Sequence, residues 1–233
     1  MEEAEAWLNK GVARAEQAGD TLHLTILRAY LALVKIEQRK IAEARPHVSS
    51  ALVLGRLLRI PPCTGIALMA LAMLRFSQAQ ASAGRGQKKG GSLSLEETEA
   101  TREQLKRVVR TLQHILRLTA IESETRTEAR LLLAQVTGML REEGAEELAA
   151  LALEEATQHD LTWLIARAER VLGATFALQG QQEQAIAHYQ RALHLMQTTG
   201  MRLDHTHTRK EYEQLLGTMM VAKKTSQEEP PPE

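Results

Sequence analysis

The stretch GATFALQGQQEQAIAHYQRAL, Gly173–Leu193, spaces small and bulky side chains at intervals that a pair of packed helices explains. Gly173 leaves room on a first helix for a second to come close, while Leu172 and Phe176 fill the space beside it. Gly180 makes the turn. On the second helix Ala185 and Ala192 are points of close approach, and Tyr189 fills the gap between them.

The second-helix spacing recurs along the chain. Gly144, Ala149, Leu153 and Ala156 repeat it, with Ala149 standing 36 residues before Ala185. Ala44, Val48 and Ala51 repeat it in KIAEARPHVSSAL, and Ala4, Leu8 and Gly11 repeat it at the start, 40 residues before Ala44. The unit between Pro61 and Ser123 is degenerate, because an insertion splits it. Several such helices in order predict a helical repeat array.

This spacing of small residue, aromatic, turn glycine, alanine, aromatic and alanine resembles the tetratricopeptide repeat family. The match is carried by residues 166–199, with Gln197 where the family often has proline. The resemblance implies an all-α fold of antiparallel helix hairpins stacked as a right-handed superhelix, an α-solenoid. The long period, the AGD turn at 18–20 and the closing segment GMRLDHTHTRKEYEQLL are similar to the repeat domains of large bacterial signalling ATPases and transcriptional activators of the maltose-regulator type. That likeness implies the sensing or interaction part of such a regulator.

Composition agrees with packed helices. Of 233 residues, 44% are hydrophobic, mostly Ala and Leu, and 3% are aromatic. Alternating β-branched runs are missing, and apolar spacing predicts helices over 3–18, 21–38, 41–58, 64–82, 95–119, 124–142, 145–157, 161–178, 182–197 and 205–221. One repeat domain over 1–222 is expected, interrupted by a flexible loop over 84–95 (GRGQKKGGSLSL) and followed by a disordered tail over 223–233. Ser94 and Glu97 read as a capping box for the helix after the loop.

Several functions are disfavoured by the residues themselves. Lys and Arg number 29 and Asp and Glu number 29, so no basic excess points to direct nucleic-acid binding. The apolar run TGIALMALAMLRF is too short to span a bilayer, the acidic start MEEAEAWLNK is not a signal peptide, and the lone Cys63 fits a reducing cytoplasm. The loop lacks the lysine and preceding strand of a phosphate-binding loop. Asp204, His205 and His207 are metal-ligand types, but residues two apart on a helix do not share a face, and Asp204 after Gly200 reads as a helix cap. Acidic clusters at REEGAEE and LEETEATRE read as solvated faces. No catalytic residue, metal site or cofactor is predicted.

What remains is surface. First helices of such repeats line a concave groove that holds a peptide. The groove-facing positions expected here are Ile26, Ala29, Leu33 and Ile36 in the early unit, and Leu131, Ala134, Gly138 and Arg141 in the next. In the unit of the opening stretch they are Arg167, Arg170, Ala174 and Ala177. The expected function is a non-enzymatic, cytoplasmic scaffold for a protein or peptide partner; the alternative is an effector-sensing module of a signalling or transcription regulator. The first helix matches a second helix with no first helix before it. Leu8 and Val12 are therefore expected on an unpaired apolar edge, open to self-association or to adjacent domains.

Overall fold

In the computed structural model, which describes residues 2–88 and 95–228, ten α-helices follow one another and no strand occurs among the described residues. They are α1 (Glu2–Ala18), α2 (Thr21–Glu37), α3 (Ile41–Leu58), α4 (Pro61–Lys88) and α5 (Leu95–Arg117), then α6 (Ser123–Leu140), α7 (Ala145–Gln158), α8 (Thr162–Leu178), α9 (Gln182–Thr198) and α10 (Arg202–Glu228). The protein is all-α. The repeat domain expected over 1–222 divides into two compact units, Met1–Val136 and Thr137–Glu233, with the last residues of α6 belonging to the second.

One turn is used again and again. The backbone N–H of residues 20, 40, 142, 161, 181 and 201 bonds the carbonyl five residues earlier, at 2.9–3.1 Å. Just before each donor sits a left-handed residue: Gly19, Arg39, Arg141, Asp160, Gly180 or Gly200. This is a helix ending in a Schellman-type bond, which satisfies carbonyls that would otherwise lack partners. Glycine reaches that conformation freely, whereas Arg39 at φ 62° and Asp160 at φ 53° do so against the clash of their Cβ.

In the second unit α8 and α9 run antiparallel. Glu169 meets Arg191, a Cβ at Gly173 would meet Tyr189, and Phe176 stacks on His188, so one partner advances as the other falls back. A Cβ built at Gly173 would lie 3.1 Å from Tyr189 Cγ, so any larger residue would press on the ring. Ala166 of α8 and Ala192 and Met196 of α9 form a fully buried cluster. The close approaches expected at Gly173, Ala185 and Ala192, and the Tyr189 expected to fill between them, are all at buried positions.

The first unit repeats this packing. Ala29, Ala32 and Ile36 of α2 share one core with Ala44, Val48 and Ala51 of α3, and with Ile66, Ala67, Ala70 and Leu74 of α4. At Gly55 the backbone of α4 comes so near that a Cβ would lie 3.3 Å from the Cys63 carbonyl oxygen.

The largest boundary differences fall on α4 and α10, the latter starting at Arg202 rather than 205. Helix α4 begins at Pro61 rather than 64, because prolines fit the first turn, where their missing N–H costs no bond. It also runs on to Lys88, since a helix already formed propagates through the glycines at 84 and 86. Helix α10 continues to Glu228, through residues expected to be disordered. Residues 89–94 of the expected loop, Ser94 of the expected capping box and residues 229–233 of the expected tail lie outside the described residues.

Helix α1 corrects a further expectation. It packs on α2, burying Val12 and Ala15 and seating Gly11 against Leu27, with Leu8 half-buried. Val12 is therefore not on an open edge; a large apolar residue of α1 that is exposed is Trp7, with the Lys10 ammonium 5.1 Å from its ring.

Candidate functional site

Arg167, Arg170, Ala174 and Ala177 recur at helical spacing, so they form one stripe along α8. All four are half-buried. Arg167 stands over the Trp163 ring at 5.3 Å and turns Nη2 to the Asp204 carboxylate at 3.4 Å. Arg170 faces the Glu211 carboxylate at 3.9 Å. Both acids belong to α10, and both members of each pair advance along the chain together, so α10 runs parallel to α8. Thr208, Tyr212 and Met196 hold α10 to α9: Thr208 Oγ1 donates to Met196 Sδ at 3.3 Å, and Gln190 donates to the Tyr212 hydroxyl at 3.1 Å.

Asp204 thus has a different role from the cap expected of it. Helix α10 starts at Arg202, which places Asp204 inside its first turn, where a carboxylate favours the helix dipole. Its side chain serves Arg167 instead. Among the described residues no group of three or more His, Cys, Asp or Glu side chains converges as metal ligands would.

The other expected groove residues fall differently. Ala29 and Ile36 are buried in the α2–α3–α4 core, and Ile26 and Leu33 pack against it. Leu131 and Ala134 of α6 are buried as well. Gly138 faces its neighbours, since a Cβ there would lie 3.6 Å from Leu178 Cδ1 and 3.8 Å from Ala145 Cβ. Arg141 is exposed in the turn after α6 and lies on no helix face. In the first unit the reason is direct: the stripe chosen on α2 is the one turned toward α3 and α4, and an apolar stripe so placed buries itself.

A polar cluster missed by sequence reasoning lies on the other side of α8. Glu169 is buried; its carboxylate accepts from Arg191 Nε at 3.0 Å and meets His188 Nδ1 at 2.7 Å, while the His188 ring stacks on Phe176 with centroids 5.0 Å apart. The signal was present, since Glu169 stands three residues after Ala166 and four before Gly173, on the stripe of small residues. A buried carboxylate among apolar neighbours requires such partners.

Cys63 is buried. Burial, and then the charge of Glu122, push its thiol above the ordinary range, which keeps it protonated. No helix among the described residues is long and apolar enough to cross a membrane. A scan of the chain against protein-family models finds no match, and no curated protein matches it.

Proposed function

We propose that the protein is a non-enzymatic interaction scaffold of the tetratricopeptide kind, working in the cytoplasm and holding a segment of a partner protein along the α8 stripe of its second unit. The observation that carries the reading is the recurrence of one module. A helix, a Schellman-type turn and an antiparallel helix are followed by a third that returns beside the first, in α2–α3–α4 and again in α8–α9–α10. Such units have their small residues spent on close packing, which leaves the exposed flanks of successive helices as the surface on which function is built.

Within the second unit, the half-buried stripe of Arg167 and Arg170 with Trp163 beside it has the residue types that dominate protein-binding surfaces. Guanidinium groups there suit an acidic segment, because Asp204 and Glu211 already show how carboxylates sit against them. The test is affinity capture with the intact chain, followed by calorimetry of each purified partner against wild type and an Arg167→Ala/Arg170→Ala double variant. Binding weakened at least about tenfold is expected, as loss of charge-assisted hydrogen bonds implies. Equal binding by a folded double variant would overturn this placement of the site.

A further inference from the structure

In each unit a third helix lies beside the first, but the two are seated differently. Helix α4 brings Ile66, Ala67, Ala70 and Leu74 into an apolar core shared with α2 and α3. Helix α10 turns charge toward α8 instead: Asp204 accepts from Arg167 at 3.4 Å, and Glu211 stands 3.9 Å from Arg170. Between Arg202 and Met219 the one buried residue is Thr208.

Neither ion pair is close. The Arg170–Glu211 contact is beyond hydrogen-bond reach, and the enclosed Glu211 Oε2 makes no hydrogen bond among the described residues. Partly exposed pairs of this kind add little to stability. Toward α9 there are the Thr208 bond to Met196 Sδ, the Gln190 bond to the Tyr212 hydroxyl, and the Tyr189 and Tyr212 rings with centroids 6.2 Å apart. A helix that buries so little opens locally at a lower cost than the hairpin beneath it.

The acids of α10 occupy the very groups assigned above to a partner's acidic segment. Asp204 and Glu211 stand two turns apart on one face of α10, so both reach the α8 stripe together. We infer that α10 is a built-in competitor for the Arg167–Arg170 stripe, a strap whose carboxylates hold the site until an acidic segment of the partner displaces them. The competition rests on the scaffold reading; the opening of the strap does not. Because α10 is tethered, its effective concentration at the stripe is high, and an outside segment must overcome it. Weakening the strap therefore strengthens binding from outside, which a merely structural last helix would not do.

The test has two arms, both on the intact chain with circular dichroism unchanged. The first is hydrogen exchange without any ligand. Amides of residues 202–219 should exchange at least about tenfold faster than those of α8 and α9, and Asp204→Asn/Glu211→Gln should speed α10 alone by about tenfold more. The second is fluorescence anisotropy of a labelled peptide of residues 202–219, in about 0.1 M sodium chloride to screen diffuse attraction. The Asp204→Asn/Glu211→Gln chain should bind this peptide about tenfold more tightly than wild type, and adding Arg167→Ala/Arg170→Ala should erase the gain. Exchange of α10 as slow as that of α9, or unchanged in the acid variant, overturns the strap and leaves the scaffold reading standing. An α10 that opens as expected while the peptide binds no more tightly overturns the competition, and the Arg167–Arg170 placement of the site with it.

Discussion

In the α8–α9 hairpin, Gly173 admits the Tyr189 ring, Ala166 faces Ala192, and Gly180 makes the turn. In the α2–α3 hairpin no aromatic enters. Ala29 and Ala32 pack with Ala44 and Ala51, and Arg39 makes the turn in the same left-handed conformation. Charges then flank the second arrangement. Lys35 Nζ reaches Glu5 of α1 at 2.6 Å and Glu43 of α3 at 2.5 Å, and Arg28 joins Glu16 of α1 to His47 of α3. Two hairpins of nearly equal length therefore share a backbone plan while using different side chains to hold it. The plan rests on close approach and on the turn bond; the filling between is open to choice.

The largest break in this comparison should come from the aromatic. Tyr189→Ala removes a buried ring that rests on the Gly173 backbone and should cost about 3–5 kcal/mol in urea unfolding, as other large aromatic truncations do. A loss under about 1 kcal/mol would show that α8 and α9 collapse onto each other without it. Next come the alanines. Ala192→Leu and Ala51→Leu, both at fully buried positions, should each overpack their hairpin and cost about 1–3 kcal/mol by thermal melting. Unequal costs would mean that the two close approaches are not equivalent.

Turns should respond in opposite directions. Gly180→Ala forces a Cβ into φ 77° and should lose about 1 kcal/mol. Arg39→Gly relieves φ 62° and should gain about 0.5–1 kcal/mol, the added freedom of the unfolded chain taking back part of the benefit. Denaturant midpoints of the two variants decide it, and a destabilised Arg39→Gly protein would contradict the strain assigned to that turn.

The smallest effect is the dependence of the charged flanks on pH. Hydrogen bonds from Lys35 hold the Glu5 and Glu43 carboxyls below the ordinary 4.5. Burial, and then the charge of Arg28, depress His47 below 6.5. Groups with lowered folded pKa values contribute stability above their unfolded values and lose it as pH falls through the folded ones. The first unit should accordingly weaken in two steps on acidification, one below pH 6.5 for His47 and one below 4.5 for the glutamates. His47→Gln should erase the upper step and Lys35→Met the lower. Urea midpoints taken between neutral and acidic pH, with both steps intact in both variants, would show that these groups do not carry the dependence.

The helices themselves were legible because their signals are local. Apolar spacing located all ten, and the glycines at 19, 180 and 200 marked turns by a conformation that few other residues accept. Arg39 and Asp160 hid equivalent turns, since nothing in those side chains announces a left-handed backbone. The candidate groove was legible only as a set of stripes. Spacing placed Ile26, Ala29, Leu33 and Ile36 on one face of α2, and Arg167, Arg170, Ala174 and Ala177 on one face of α8. It could not say what each face would meet.

By itself, then, the sequence determined an all-α chain of helices of known length, the positions of close approach and most of the turns. These depend on neighbours within one or two helical turns, where geometry is nearly invariant. Tertiary structure alone decided that the α2 stripe is buried against α3 and α4, and that the α8 arginines meet acids 37 and 41 residues further on. It also decided that Arg75 of α4 donates to the Thr111 hydroxyl of α5. Such pairings depend on the rotation of each helix about its axis, which the packing of all its neighbours sets together and no local spacing encodes.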